Sequence, residues 1–246
     1  MENIIRKISG ILSFIVVFVV SAFVYFNYKG FTIDDNGDIV LKEQVAQAQE
    51  KKFVNELPQN INIHASTKYA IGEINAPLTM YEYSSLGCPH CAHFHLDVVP
   101  ELQTEYVEKG LLRIVFVNMP LDKKSMQGAM LMNCMTYENY HAFLERLFDK
   151  QRFWFLAKNE KPLLKYASEF GLNEEDAREC LANKKLASDI IDDRQQGIDV
   201  LKMEGTPAFL FSGVDGNEII YGAPSFNKMK EYIDNRLKRM SKVNKK

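Results

Sequence analysis

The sequence predicts an α/β chain in which a mixed central sheet is interrupted by a helical insertion and preceded by an N-terminal signal or membrane anchor. Three observations carry this. Short β-branched or alternating runs at 78–83, 111–117, 208–211 and 218–221 read as strands. The stretch from 121 to about 203 between them holds apolar residues at helical spacing. Residues 8–26 form a nearly unbroken apolar run behind Arg6 and Lys7. With 246 residues, 46% hydrophobic and 25% charged, the chain has apolar material for a core that needs no disulfides to replace it. A net charge of −2 gives no electrostatic reason to expect nucleic acid as a partner.

The N-terminal run is long enough to cross a bilayer. Val20-Ser21-Ala22 offers a small-residue cleavage site, whereas Phe23, Val24, Tyr25 and Phe26 continue the run beyond it. A cleaved signal and an uncleaved anchor in contact with the inner membrane both remain open. A buried core helix would need a polar face, and this run has none. Both open readings keep Arg6 and Lys7 inside and place the rest of the chain outside, in the periplasm or anchored facing it.

Residues 27–65 read as a tether, with a turn signal at Asp34-Asp35-Asn36-Gly37 and an exposed helix over 40–57. The domain proper spans 66–246. Its first strand, 78–83, leads through a short loop at 84–87 to Cys88-Pro89-His90-Cys91 and a helix ending at Gly110, a natural C-terminal cap. Pro100 should kink that helix. The strand 111–117 completes a βαβ unit. Helices over 126–137, 140–148 and 163–170 follow. Gly171 ends one helix, and Asn173 with Glu174 and Glu175 starts the next. A hairpin joins the last two strands, and Ser225 caps a final helix to about residue 240. The basic tail of Lys238, Arg239, Lys242, Lys245 and Lys246 suits a solvated helix C-terminus.

Disulfide exchange needs a thiolate, hence a cysteine of depressed pKa. Cys88 stands where a helix begins, where free N–H groups and the helix dipole favour negative charge. Pro89 fits the first helical position. Cys91 lies one turn later on the same side, so the two sulfurs can join. Cys88 is then the attacking thiol and Cys91 the buried resolving thiol, with His90 a second donor near Cys88. The cysteine pair carries the electrons, so no bound cofactor is required.

This motif, after a strand containing Glu82-Tyr83-Ser84, resembles the DsbA-like disulfide oxidoreductases of bacterial envelopes, which have the thioredoxin fold. Gly205-Thr206-Pro207-Ala208 is similar to the family's cis-proline loop, and residues 122–195 to its inserted helical domain. The resemblance covers roughly residues 66–240. It implies that Thr206 and Pro207 face the redox pair and bind the substrate backbone. It implies that Glu82 is the family's buried acid beneath the disulfide, helping to move the proton of Cys91. It implies oxidation of reduced or unfolded exported proteins, with reoxidation by a DsbB-type membrane oxidase. Threonine at 206, where the best-known oxidant carries valine, is closer to the isomerase branch, so an isomerase or reductase held reduced is an alternative. A non-catalytic tethered peptide- or metal-binding domain is a lesser one.

Cys134 and Cys180 lie on different helices of the insert. Export to an oxidising compartment makes a structural disulfide the expectation, with two buried thiols as the alternative. Metal is not expected, because His93 and His95, two apart on a helix, point to different sides. Nor is a c-type haem, since Ala92 follows Cys91. Trp154, with Phe153 and Phe155, is read as core rather than as a groove.

Overall fold

The computed structural model describes residues 31–33, 39–41, 55–57 and 68–243. The expected signal or anchor at 1–26 and most of the expected tether lie outside the described residues. The chain divides into two compact units, residues 1–52 and 53–246. In the first, β1 (Phe31–Ile33) pairs antiparallel with β2 (Ile39–Leu41), Ile33 opposite Ile39; the turn signal read at 34–37 lies outside the described residues.

The second unit is built on a five-stranded sheet of order β3-β7-β6-β4-β5, where β3 is Asn55–Leu57, β4 Leu78–Ser84, β5 Leu112–Asn118, β6 Ala208–Gly213 and β7 Gly216–Tyr221. β4 and β5 run parallel, and the other pairings are antiparallel. The helix expected over 40–57 is therefore corrected at both ends, which are strands, while 42–54 lie outside the described residues. The reason is tertiary. The free edge of β7 presents unpaired backbone groups that β3 satisfies, a term absent from local helix propensity.

Strand periodicity splits β4 between two layers. Leu78 and Met80 pack under Phe94, Val98, Leu102 and Met229, whereas Tyr83 faces Leu201, Met203 and Leu210. Each such apolar side chain contributes about 1.5–3 kcal/mol of burial free energy. Between β4 and β5 runs α1 (residues 89–107). It is α-helical over Pro89–His93 and Val99–Leu102, and π-helical over Phe94–Val98 and Gln103–Val107. The expected disturbance at Pro100 takes this form: the turn before it widens, so that Val99 N–H bonds Phe94 O. The path closes at Gly110, whose φ of +67° is the left-handed cap conformation.

The insertion is α2 (Lys123–Cys134), α3 (Tyr137–Asp149), α4 (Gln151–Phe155), α5 (Lys161–Glu169), α6 (Glu174–Ala182) and α7 (Lys184–Asp199). Asp122 caps α2 by accepting from the N–H groups of Lys124 and Ser125, and Asn173 caps α6 by accepting from that of Asp176. The helix expected over 126–137 breaks at Met135 and Thr136, both extended, so Tyr137 opens α3 instead. Cys134 and Cys180 form a disulfide that ties α2 to α6, with Cα atoms 6.4 Å apart. The last helix, α8 (Phe226–Val243), is locked to the β6–β7 hairpin. Its fully buried Arg236 pairs with Asp215 at 2.7 Å and Glu218 at 3.2 Å. Among the described residues no helix is long and apolar enough to cross a membrane.

Candidate active site

The C-terminal end of β4 delivers the chain into the loop 85–87, and Cys88 N–H bonds Ser85 O at 3.0 Å. Cys88 is the N-cap of α1, with extended backbone (φ −86°, ψ 119°), and Pro89 takes the first helical position, where its missing N–H costs nothing. Cys88 O then accepts the first intrahelical bond, from Ala92. Cys91 sits one turn in. Both are free thiols here; Cys88 is 9% exposed and Cys91 wholly buried. A partner sulfur can therefore reach Cys88 far more readily than Cys91.

The two thiols are driven apart in acidity. The Cys91 thiol beside Cys88 stabilises its thiolate, and the Thr206 hydroxyl and the backbone N–H groups of Cys91 and His90 add to this. Against the opposing cost of burial, they hold the Cys88 pKa down at about 5. Burial, first, and the neighbouring Cys88 push the Cys91 thiol strongly up. His90 contributes through its backbone; its side chain is exposed.

The second strand of the site comes from the loop before β6. Thr206–Pro207 is a cis peptide. Thr206 O accepts from Cys88 Sγ at 3.3 Å when the thiol is protonated. The Thr206 hydroxyl, with no other partner, faces both sulfurs. Pro207 is buried, and its carbonyl accepts from Gly222 N–H.

Two residues before Ser84 on β4, Glu82 is fully buried, neither carboxylate oxygen hydrogen-bonded. His95 Nδ1 stands 3.9 Å from Glu82 Oε2 and is itself buried and unpartnered. His93, by contrast, is exposed and pairs with Asp97, so the two histidines point to opposite sides of α1. Trp154 is core, its indole N–H bonded to Leu147 O, whereas Phe153 next to it is exposed.

Gln151, which the sequence reading missed, holds the loop from the insertion side. Its Nε2 donates to Leu86 O at 2.8 Å and Cys88 O at 3.0 Å. Gly87 permits this docking: a Cβ there would lie 2.5 Å from the Phe155 ring and 2.6 Å from Ser125 Oγ. Ser84 and His141 were missed as well. Ser84 faces the Cys91 thiol, and His141 lies across the Phe116 ring from His95. No short motif signals any of these three, because each reaches the site through packing between elements.

Comparison with known proteins places the fold in a family. A family model described as thioredoxin matches residues 64–235. Disulfide bond formation protein D of Bacillus subtilis (strain 168) is 24% identical over 176 residues, covering 68% of this chain and 76% of that protein. A Rickettsia bellii relative is 25% identical over 146 residues, 58% of this chain but only 56% of its own length. The chain thus spans little more than half of that relative. Among solved structures, α-DsbA1 of Wolbachia pipientis superposes with a TM-score of 0.65 at 25% identity, covering 72% of this chain and 94% of that one. Oxidised BdbD of Bacillus subtilis gives 0.59 at 24% identity, covering 71% and 96%. The family match takes in β4 to β7, the helical insertion and both Cys88 and Cys91, and so the chain belongs to the thioredoxin family, in the DsbA-like form that carries an inserted helical domain.

Proposed function

We propose that this protein is a thiol–disulfide oxidoreductase that introduces disulfides into exported proteins through Cys88 and Cys91. The observation that carries the reading is the Cys88 thiol: a helix N-cap position, reachable from solvent, with its pKa held at about 5. A stabilised thiolate favours the reduced pair, and a pair that favours reduction oxidises its partners. In the forward reaction a substrate thiolate attacks Cys88 Sγ. The Cys88–Cys91 bond breaks and its electron pair leaves on Cys91, which takes up a proton. A second substrate thiolate then attacks the substrate sulfur of the mixed disulfide, releasing the oxidised substrate and the Cys88 thiolate. Two electrons have passed to the pair, and no other cofactor enters the balance.

Thr206 and Pro207 at the edge of the site fit a role in holding the substrate backbone, and the Thr206 hydroxyl favours the thiolate. Buried Glu82 fits the proton balance of Cys91. Return to the disulfide form needs an electron acceptor, for which a DsbB-type membrane oxidase is the natural partner. The apolar run after Arg6 and Lys7 fits export to the periplasm. The test is the equilibrium of the Cys88–Cys91 pair against glutathione, read by thiol trapping. A potential far above the roughly −270 mV of thioredoxin is expected. A value near that figure would assign the protein to a reductase or to an isomerase held reduced.

A further inference from the structure

When the disulfide opens, the electron pair lands on a sulfur that is wholly buried and whose thiol form burial favours. A proton must reach Cys91 without direct access from solvent. The helix and strand beneath it are matched in a way that supplies a path. On α1, Cys91 and His95 are four residues apart and share the face turned to the sheet, about 6 Å along the axis. On β4, Glu82 and Ser84 are two residues apart on the face turned to the helix, about 6.7 Å. Helix and strand run in opposite directions, so Cys91 stands over Ser84 and His95 over Glu82. Glu82, Ser84, Asn118 and Tyr140 bring polar groups to one small, otherwise apolar cavity with room for about one water.

We infer that His95 is a positioning residue for proton transfer to Cys91: it shares one proton with Glu82, and that proton passes by way of the cavity and Ser84 to the departing sulfur. The inference rests on the disulfide-exchange reading above and deepens it.

An isolated carboxylate in this site is costly, and so is an isolated imidazolium. At 3.9 Å, with neither the Glu82 oxygens nor His95 Nδ1 hydrogen-bonded elsewhere, the two are placed to hold one proton between them. The other titratable groups around His95 are Cys91 on its own helix and Tyr140 and His141 on α3; Phe116 and Phe148 close the ring's sides. Burial, and then the nearness of His95, hold the His141 pKa down. Burial thus disfavours the charged form of His141, and the shared proton is assigned to Glu82 and His95. On opening, the substrate–Cys88 bond forms, the Cys88–Cys91 bond breaks and Cys91 accepts the proton. The Glu82–His95 pair is left one proton poorer and recovers it from solvent.

The test is the opening of the oxidised full-length protein by glutathione from pH 5 to 8. It is read as the Cys88–glutathione adduct after acid quench, with rates corrected for the glutathione thiolate. The parent should show a fall in corrected rate where the pair loses its shared proton. His95→Gln should shift that break and slow opening about tenfold, a modest share of general acid–base catalysis. Glu82→Gln should abolish the break, and Glu82→Gln/His95→Gln should be no slower than Glu82→Gln alone. A His95→Gln profile superimposable on the parent's would overturn the inference, as would a double variant slower than Glu82→Gln, since His95 would then act independently. A second measurement needs no variant: imidazole NMR titration should give His95 different midpoints in the oxidised and reduced proteins, with exposed His93 unchanged. Identical His95 midpoints in the two forms would also overturn it. If the parent forms no adduct at Cys88 at all, the disulfide-exchange reading itself falls, and this inference with it.

Discussion

Cys88 is acidic because four donors converge on one sulfur, and three of them are fixed by the motif. The backbone N–H groups of His90 and Cys91 come with any helix that starts at this cysteine. The Cys91 thiol comes with the spacing. The Thr206 hydroxyl comes from 118 residues downstream, and depends on the loop before β6 being folded against the site. Alkylation of the reduced protein by iodoacetamide should therefore titrate with a midpoint near pH 5. Thr206→Val keeps the shape and removes the hydroxyl, so the midpoint should move upward; an unmoved midpoint would mean that the hydroxyl does not reach the thiolate. The residues that make the thiolate were thus legible in sequence wherever they are local, and Cys88, Pro89 and Cys91 stand where helix-start chemistry puts them. Gln151, Ser84 and His141 were not, because a buried glutamine, serine or histidine carries no local signature and its role depends on which element packs against it.

At the scale of elements, the insertion does more than cover the sheet. Gln151 on α4 and Gly87 in the loop form one joint, in which the side-chain amide holds Leu86 O and Cys88 O while the absent Cβ lets Phe155 approach. Gln151→Leu should cost about 1–3 kcal/mol in urea unfolding, the penalty for Leu86 O left without this donor and for the bond lost at Cys88 O. It should also loosen the N-cap residue enough to raise the Cys88 midpoint, which the same alkylation assay reads. The disulfide is a different kind of link. It closes a loop of 46 residues within the insertion, and chain entropy values this at about 4 kcal/mol. Cys134→Ser/Cys180→Ser should lower the unfolding free energy by up to that amount while leaving glutathione exchange at Cys88 intact. A loss of exchange would show that the α2–α6 link shapes the site. Helix caps and strand periodicity exposed most of these elements in the sequence: Asn173 and Gly110 mark real termini. β3 escaped because an edge strand is defined by its neighbour, and the break at Met135 and Thr136 because neither residue is a strong helix terminator.

For the whole molecule, folding and redox chemistry are two sides of one cycle. Oxidised and reduced chains, each folded and unfolded, form a closed box. Any free energy that the fold gives to the dithiol form must appear both as a higher potential and as extra stability of the reduced protein, at about 1.4 kcal/mol for each 30 mV. The reduced protein should therefore resist urea better than the oxidised one, and pH tells whether the Cys88 thiolate is the cause. Between about pH 5 and its ordinary value of 9.0, the Cys88 thiol of the unfolded chain holds a proton that the folded chain has lost. In that window the stability of the reduced form rises with pH; the gain is complete at the unfolded pKa and is lost as pH falls through 5. Cys91 acts in the opposite sense above its ordinary range, where only the unfolded chain gives up that proton, so the advantage should crest near pH 9. Groups remote from the cysteine pair and from Glu82 and His95 titrate alike in both redox forms and cancel in the difference. Urea unfolding of both forms at pH 5, 7 and 8.5 should thus show a gap that widens steadily with pH. A gap that stays constant would mean that the fold does not stabilise the thiolate, and the oxidising role would lose its thermodynamic basis.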